Sequence, residues 1–365
     1  MIRIVTVYTT ARRGAELVDM AAIRWFSISG ALARLGYDVS IATAEFKWRL
    51  RQPTIEMGPG LRRVPLSRVR WRDYDVVKTL FHRGFRTLTR AGGADHPFII
   101  AKLGSVVASR DTEGIPFYGR QRRESFAIQS EIARRARYVT VLTRAAAELW
   151  TEHHGRRESL LLVPGATERE IPTRGPDPYP ETGPVRCLFA GNFYSTHPHS
   201  QPEAHRSLVA KLNELGRLLA DRGGRLYVLG PGEASSLDPR HVSHLGVVSY
   251  DGSWDYLRYA SVGVVVHPGP FLHNNESTKI YHYLRAGIPV VCESGFPNDA
   301  VVTESGLGTL VPSGDLAALA DAAAAAASQR WDVDRGVRYV LERHTWDQRA
   351  LEYDRVLRQH FGATR

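Results

Sequence analysis

Short runs that are apolar throughout alternate with longer stretches of helical spacing along the first half of the chain. The apolar runs occupy residues 2–8, 37–43, 74–78, 98–102, 138–143 and 160–163. Between the first two runs, Ile23, Phe26, Leu32 and Leu35 recur at helical spacing, and Gly36 favours the end of that helix. Strands that are apolar on both faces are typical of parallel sheets covered by helices. The first half is therefore predicted to be a doubly wound α/β domain.

A proline-rich segment separates this pattern from a second one of the same kind. Residues 171–184 contain five prolines, which neither a helix nor a central strand accommodates. Apolar runs begin again at Val185, and a closing helix is predicted over 316–328. We predict two Rossmann-like, doubly wound parallel-sheet domains with an interdomain cleft. They span residues 1–172 and 185–345, with a linker at 173–184 and a C-terminal helix within 346–365 that packs back on the first domain.

Residues 268–291 combine a strand end, a polar loop, a helix and a second strand. Ser277 and Thr278 favour the start of the helix, and Gly287 favours its end. A helix N-terminus is a ready anion site, because its backbone N–H groups are unpaired. Lys279 lies in the first turn, where the helix dipole disfavours a cation unless an anion is bound there. The segment therefore predicts a phosphate site.

Residues 279–291 resemble the donor-site signature of retaining GT-B glycosyltransferases, broadly family 4 and its relatives. Other segments resemble that family in the same order, at residues 35–41, 138–143, 162–167, 188–192, 226–233, 244–248 and 306–315. The resemblance implies a hexosyltransferase-type enzyme that uses a UDP-, GDP- or dTDP-linked sugar as co-substrate and no cofactor. It also implies transfer with retention and without a metal.

The resemblance assigns donor binding to residues in several loops. They are Arg12, Gly14, Gly191, Asn192, Gly230, Val248, Glu276, Ser277, Thr278, Lys279 and His282. Asn274 and His282 stand where the family has paired glutamates. We expect His282 to contact the ribose and Glu276 to supply the missing carboxylate. The family's arginine and lysine after the strand that ends near Gly191 are absent, so we expect the diphosphate charge to be met by Lys279, the helix N-terminus and either Arg12 or Arg13.

Lys279 is the predicted catalytic cation, because stabilising the charge on a leaving diphosphate is usually the largest catalytic contribution. Asp111 and His82 follow strand ends in the first half and are candidates to orient the acceptor hydroxyl. The histidine groups at 153–154 and 197–199 have no carboxylates at ligand spacing, so no metal site is predicted.

The net charge of +10 is concentrated in the first half, where residues 1–175 hold 30 Lys and Arg against 17 Asp and Glu. This indicates either an anionic partner or a general excess of arginine. Residues 62–72 interleave arginines with Trp71, as membrane surfaces require, and no nucleic-acid module is present. We expect a small-molecule, glycan or lipid-linked acceptor and peripheral contact with the inner face of a membrane.

The remaining features favour a cytoplasmic, bacterial protein. The first residues read as a strand and not as a signal peptide. The two cysteines lie far apart in apolar runs, which excludes a disulfide framework. Two alternatives stay open, a non-catalytic sugar-nucleotide-binding protein of the GT-B fold and a GT-B epimerase.

Overall fold

The computed structural model describes residues 1–8, 20–43, 53–109, 119–155, 157–180, 185–197 and 202–362. Its internal contacts divide the chain into two units. Unit 1 contains Met1–Gly165, His273–Asn275 and Trp346–Arg365, and unit 2 contains Ala166–Leu272 and Glu276–Thr345. The division at Gly165 falls before the proline-rich segment, so the described part of that segment belongs to unit 2.

Unit 1 is built on an eight-stranded sheet with the strand order β3-β4-β2-β1-β5-β6-β7-β8. Its strands are β1 (Arg3–Val7), β2 (Asp38–Thr43), β3 (Ile55–Gly58), β4 (Leu61–Pro65), β5 (Val76–Leu80), β6 (Ile99–Lys102), β7 (Tyr138–Val141) and β8 (Leu160–Leu162). All of these strands pair in parallel except β3 with β4, which form an antiparallel edge. The predicted doubly wound sheet is confirmed, and the edge pair is an addition that the hydrophobic pattern did not indicate.

Helices cover both faces of this sheet. They are α1 (Met20–Arg34), α2 (Phe81–Arg90), α3 (Gly119–Arg135), α4 (Arg144–His154) and, from much later in the chain, α11 (Trp346–Phe361). One core combines the sheet with Phe85, Ile132 and Trp150 of α2, α3 and α4. On α1, Trp25 donates from Nε1 to Thr6 Oγ1 at 2.8 Å. On α11, Asp354 accepts from the Tyr37 hydroxyl at 2.7 Å, so both terminal regions of the sequence build unit 1.

A buried cation lies inside unit 1. Lys78 of β5 is 1% exposed, and its Nζ lies 5.0 Å from the centroid of the Tyr353 ring of α11. In the described part of the chain, no hydrogen bond or ion pair reaches this amine. Burial, assisted by the nearby Arg24, lowers the pKa of Lys78 to about 7. The charged form of Lys78 therefore destabilises the folded state of unit 1.

Unit 2 is built on a six-stranded, wholly parallel sheet with the strand order β11-β10-β9-β12-β13-β14. Its strands are β9 (Val185–Ala190), β10 (Gly224–Leu229), β11 (Val242–Gly246), β12 (Val262–Val265), β13 (Val290–Glu293) and β14 (Gly308–Val311). Its helices are α5 (Pro202–Ala220), α6 (Tyr250–Tyr259), α7 (Lys279–Ala286), α8 (Ala300–Ser305), α9 (Leu316–Ser328) and α10 (Val333–Arg343). Leu212 and Leu319 lie in the core on one face of the sheet, and Trp254 and Tyr283 in the core on the other. The predicted second doubly wound domain is confirmed.

Each sheet has a point where the strand order reverses. In unit 1 it lies between β1 and β5, and in unit 2 between β9 and β12. Ligands of doubly wound sheets bind beyond the carboxyl ends of the strands at such a point. The loops after β5, β9 and β12 are therefore the places to look for a site. The loop after β1, which carries Arg12 and Gly14, lies outside the described residues.

The described helices were also compared with the requirements of a membrane span. None of them is long and apolar enough to cross a bilayer.

Candidate functional site

Lys279 is the first residue of α7, and its side chain reaches back to the end of β9. Its Nζ lies 4.9 Å from the ring centroid of Phe189 in that strand. A Cβ atom added at Gly191, just after β9, would lie 2.8 Å from the same Nζ. In its present position the lysine side chain therefore passes over Gly191, and a larger residue there would displace the amine. Two residues predicted from the sequence come together at the strand reversal of unit 2.

The Lys279 ammonium is a cation without a counter-ion in the described residues. The residue is half-buried, and burial lowers its pKa to about 8. Neither a hydrogen bond nor an ion pair to its Nζ is present in the described part of unit 2. A desolvated charge without a partner is unfavourable, and an anion bound beside it would remove that cost. The position is therefore suited to a phosphate group.

The loops after β9 and β10 touch each other beside Lys279. Gly230 has a φ of +137°, and a Cβ atom there would lie 2.5 Å from the carbonyl oxygen of Gly191. Asn192 accepts from the backbone N–H of Tyr194 at 2.7 Å, and Tyr194 has a left-handed φ of 63°. Asn192 thus shapes this loop through its side chain. Val248, in the loop after β11, is half-buried against the core.

The start of α7 differs from the predicted capped helix. Thr278 occupies the N-cap position with helical angles, φ −69° and ψ −18°, and its side chain makes no capping hydrogen bond. The helix therefore starts where Ser277 and Thr278 indicated, but without a hydroxyl cap from Thr278. The hydroxyl of Ser277 is buried and has no hydrogen-bond partner in the described residues. Gly287 ends the helix in the left-handed conformation, as predicted.

Asn298, which sequence reasoning missed, holds the backbone of Ser277. Its Oδ1 accepts from the N–H of Ser277 at 3.0 Å, and its Nδ2 donates to the carbonyl oxygen of Ser277 at 2.8 Å. The Ser277 amide, expected at the phosphates, is thus already paired. The groups left for an anion at this end of α7 are the Ser277 hydroxyl, the Lys279 ammonium and the N–H groups of the first turn.

His282 lies inside unit 2 with both ring nitrogens engaged. Its Nδ1 is 2.8 Å from the carbonyl oxygen of Thr278, and its Nε2 is 2.8 Å from the hydroxyl of Tyr250. That hydroxyl also donates to Glu168, whose Oε2 is 3.7 Å from His282 Nε2. Burial and the Glu168 carboxylate hold the pKa of Tyr250 well above its usual value. Both ring nitrogens of His282 are thus paired within unit 2, and the expected ribose contact stays a prediction.

Glu276 was expected to supply the carboxylate that is missing at position 282. The carboxylates of Glu168 and Glu276 are both relevant to this prediction. The carboxylate near His282 comes from Glu168, which no sequence pattern indicated. Glu276 instead accepts at 3.1 Å from the hydroxyl of Tyr281, the residue directly before His282. The role of Glu276 as a substitute for the family glutamate stays a prediction.

Asn274, the other departure from the family's glutamate pair, has a structural role in unit 1. Its Oδ1 accepts from the N–H of Val106 at 2.9 Å, and its Nδ2 donates to the carbonyl oxygen of Val106 at 2.8 Å. Its own carbonyl oxygen accepts from Thr143 Oγ1 at 2.7 Å. An ionised glutamate could not donate to Val106, so this attachment requires an amide.

A buried ion pair fixes the ends of three strands in unit 2. Glu293, at the end of β13, is fully buried and lies 3.2 Å from Lys211 Nζ. Its carboxylate also accepts from the backbone N–H groups of His267 and Gly314. The loop after β12, which leads towards α7, is thereby anchored. Neither Lys211 nor Glu293 was predicted, because nothing local in the sequence indicates their pairing.

In unit 1, His82 lies in the first turn of α2, beyond the end of β5. Phe81 before it has a left-handed φ of 53°, a strained conformation for an aromatic residue. A Cβ atom at Gly84 would lie 2.6 Å from the carbonyl oxygen of Val7, so α2 begins directly against the end of β1. His82 is therefore at the strand reversal of unit 1. Asp111, the other acceptor candidate, lies outside the described residues.

The His82 imidazole is neutral at physiological pH. Burial, together with the nearby Arg86, lowers its pKa to about 4. Its Nε2 lies 3.1 Å from the side-chain amide of Gln129 on α3. It thus offers hydrogen bonding without charge.

The described residues were searched for clusters of metal-ligating side chains. They contain no group of three or more His, Cys, Asp or Glu residues arranged to hold a metal ion.

Comparison with known proteins gives the fold its name. No protein-family model and no curated protein sequence matches this chain. Among solved structures, sucrose-phosphate synthase from Thermosynechococcus elongatus matches with a TM-score of 0.71 and 16% identity, over 100% of both chains. The UDP-forming α,α-trehalose-phosphate synthase from Burkholderia vietnamiensis matches with a TM-score of 0.64 and 12% identity, over 98% of this chain and 100% of that one.

HepE from Anabaena, solved in complex with UDP, matches with a TM-score of 0.61 and 11% identity, over 98% of this chain and 100% of that one. These identities are low, so the likeness establishes the architecture. The chain has the two-domain GT-B fold, and it resembles glycosyltransferases of that fold.

Proposed function

We propose that this protein is a glycosyltransferase that moves a sugar from a nucleotide-diphosphate sugar to an acceptor hydroxyl. The observation that carries the proposal is the Lys279 ammonium, half-buried and without a counter-ion in the described residues, at the strand reversal of unit 2. The names of the structural neighbours, two sugar-phosphate synthases and a protein solved with UDP, support the same reaction class.

In the proposed reaction, unit 2 binds the donor. Lys279 and the first turn of α7 hold the diphosphate, and the Ser277 hydroxyl donates a further hydrogen bond. When the anomeric bond breaks, negative charge grows on the leaving phosphate oxygen. A preorganised cation stabilises that charge more in the transition state than in the ground state. Gly191 and Gly230 keep the space beside the lysine open.

Unit 1 supplies the acceptor side of the proposal. His82 is a neutral imidazole at the strand reversal of that unit, and it is suited to orienting a hydroxyl group. Transfer with retention and without a metal follows from the family resemblance and forms part of the proposal. The alternatives of a non-catalytic nucleotide-sugar-binding protein and of an epimerase predict the same donor site but no transfer.

The test replaces Lys279 by methionine, which keeps the length of the side chain and removes the charge. Its matched control is Arg206→Met, which removes one charge from an exposed position of α5. Calorimetry with UDP, GDP and dTDP, and with the corresponding nucleosides, gives affinities. Loss of a charge-assisted hydrogen bond should weaken diphosphate binding by about 10- to 100-fold. Nucleoside binding and the control variant should change little.

The outcomes separate the alternatives. An equal loss for nucleoside and nucleoside diphosphate would place Lys279 away from the phosphates and remove the proposal's main support. Turnover is measured as nucleotide released from a panel of nucleotide sugars, with and without candidate acceptors. Intact diphosphate binding without turnover of any donor would favour the non-catalytic binding protein. Interconversion of two nucleotide sugars without acceptor would favour the epimerase.

We also propose that unit 1 contacts a membrane surface that presents a lipid-linked acceptor. The edge strand β3 exposes Ile55 and Met57, at 38% and 44%, and Arg68, Arg70 and Arg72 are exposed nearby in the sequence. Basic residues beside exposed apolar ones favour an anionic lipid surface. Sedimentation with anionic vesicles should bind the protein at low salt and release it at high salt. The protein should bind little to neutral vesicles, and a variant with glutamine in place of all three arginines should bind little to anionic ones. Equal binding under all of these conditions would contradict the proposal.

A further inference from the structure

Gln129 of α3 is fully buried and faces both the loop after β6 and His82. Only one orientation of its amide matches these neighbours. In that orientation its nitrogen donates to the carbonyl oxygen of Val107 at 3.2 Å. Its oxygen accepts from the N–H of Val107 at 3.0 Å and from His82 Nε2 at 3.1 Å. The backbone of Val107 thus fixes which atom of the amide meets the imidazole.

This orientation determines where the imidazole carries its proton. Because the Gln129 oxygen can only accept, His82 Nε2 must be the protonated nitrogen. The ring is neutral at physiological pH, since burial and Arg86 lower its pKa to about 4. Arg86 itself pairs with Glu124 of α3 at 3.3 Å. His82 Nδ1 is then an unprotonated acceptor, and it has no hydrogen-bond partner among the described residues.

His82 is half-buried beyond the carboxyl end of β5, where ligands of doubly wound sheets bind. The imidazole follows the strained Phe81 at the strand reversal between β1 and β5. The close approach of Gly84 to Val7 fixes the first turn of α2 there. Strain of this kind persists where the surrounding structure enforces it, which is common at functional positions.

We propose that Gln129 is a positioning residue that holds His82 as the Nε2–H tautomer, so that Nδ1 accepts a hydrogen bond from the acceptor hydroxyl. The proposal rests on the proposed glycosyl transfer. The imidazole orients the hydroxyl but does not take up its proton, because so weak a base is not protonated at neutral pH. The hydroxyl proton leaves with the departing phosphate.

The first experiment observes the tautomer directly and needs no substrate. The intact protein is labelled with ¹⁵N-histidine, and the His82 signals are assigned by their loss in His82→Asn. Wild type should show a protonated Nε2 and an unprotonated Nδ1 between pH 6 and 8. In Gln129→Leu the two tautomers should mix. A wild-type ring protonated on Nδ1 would overturn the proposal.

The second experiment measures transfer with Gln129→Leu, Gln129→Glu and the control Ser130→Ala. Ser130 is the next residue on α3, and among the described residues its hydroxyl bonds only the Phe126 carbonyl oxygen. Loss of tautomer control should lower kcat in Gln129→Leu by about 10-fold, the effect expected from losing one orienting hydrogen bond. The KM for the donor and the affinity for the nucleoside diphosphate should stay unchanged, because the donor is bound by unit 2. Ser130→Ala should match wild type.

Gln129→Glu keeps the volume and the acceptor, so it remains informative if the leucine variant fails to fold. Its carboxylate should raise the pKa of His82 by one unit or more. Because the imidazolium has no bare Nδ1, kcat should then fall on the acid side at a higher pH than in wild type. A pH profile identical to that of wild type would overturn the proposal, as would an unchanged kcat in a folded Gln129→Leu whose tautomers mix.

Failure of the proposed function gives a different result. If wild type turns over no nucleotide sugar, glycosyl transfer is excluded together with the acceptor role of Nδ1. The ¹⁵N spectra still decide whether Gln129 sets the tautomer.

Discussion

Lys279 of unit 2 and Lys78 of unit 1 are the same chemical group shifted by the same cause. Burial lowers the pKa of Lys279 to about 8 and that of Lys78 to about 7. Neither has a carboxylate partner in the described residues. Their accessibility differs, because Lys279 is half-buried at the start of α7 and Lys78 is 1% exposed beneath Tyr353. A lowered lysine pKa alone therefore does not identify a ligand-binding site. It does so when the lysine is accessible and lies at the strand reversal of a sheet.

The largest expected effect concerns Lys78. Replacing it by methionine of similar volume should raise the free energy of unfolding at pH 6 by about 1–4 kcal/mol, as for other buried charges replaced by apolar groups. Because the folded pKa of about 7 lies below the ordinary value of 10.5, the cost of the buried charge is complete below pH 7. It should disappear towards pH 10.5 at about 1.4 kcal/mol for each pH unit.

Urea denaturation of wild type and Lys78→Met at pH 6 to 9.5 measures this difference. The advantage of the variant should shrink steadily above pH 7. A difference that does not change with pH would show that the pKa of Lys78 is the same in the folded and unfolded protein, and the comparison with Lys279 would lose its basis.

The next effect concerns the pH dependence of ligand binding at Lys279. A bound diphosphate favours the charged ammonium and so raises the pKa of Lys279 above its value of about 8. Affinity should therefore be constant below pH 8 and should fall above it by up to about tenfold per pH unit. Calorimetry with a nucleoside diphosphate between pH 7 and 9.5 tests this.

Lys279→Arg provides the control for that measurement. A guanidinium stays charged over the whole range, so the fall above pH 8 should vanish. If the wild-type affinity does not change up to pH 9.5, Lys279 is not the group that meets the phosphates.

A smaller effect is expected from the glycine beneath Lys279. Gly191→Ala places a Cβ atom 2.8 Å from the present position of Nζ, so the amine must move. We expect diphosphate affinity to fall by about tenfold, or 1.4 kcal/mol, with nucleoside affinity preserved. Unchanged affinity for both ligands would mean that the amine is free to move, and that its position beside Phe189 is not required.

The smallest effect is a stability gain in a helix that has no part in the proposed donor site. Gly30 lies within α1, and the atoms nearest to an added Cβ would be 3.6 and 3.9 Å away. Gly30→Ala should therefore raise the free energy of unfolding by about 0.5–1 kcal/mol through the backbone entropy of the unfolded chain. Thermal denaturation measures the gain, and ligand affinity should not change. A loss of stability would show that α1 cannot accommodate the methyl group.

Much of the fold follows from the local hydrophobic pattern. The strands that this pattern did not predict are exposed or short. Strands such as β9 and β12 are continuous apolar runs, because both faces are covered, and the helix predicted over 316–328 is α9. The β3–β4 pair escaped prediction because β3 is exposed along its whole length and has no apolar face to reveal it. β14 is only four residues long, with two half-buried positions and one buried position.

The residues of the candidate site divide in the same way, into those with a local sequence signature and those without one. Lys279 and the glycines could be inferred, because a helix start and tight turns leave local signatures. Gln129, Asn298 and Glu293 could not, because each acts through a partner distant in the sequence. Asn274 is the clearest case, since its amide is required by Val106, 168 positions earlier. The ribose contact of His282 was expected from the family resemblance, which carries no information about Tyr250, and it stays a prediction.

The position of α11 has a consequence for how the protein is made. Its residues Tyr353 and Asp354 complete the core of unit 1 by contacting Lys78, Thr140 and Tyr37. During synthesis, the sheet of unit 1 leaves the ribosome well before this helix does. At about 5–20 residues per second, roughly ten seconds or more pass while the whole of unit 2 is translated. The second unit can therefore finish folding before the first, and unit 1 expressed without residues 346–361 should expose an apolar, basic face that invites aggregation.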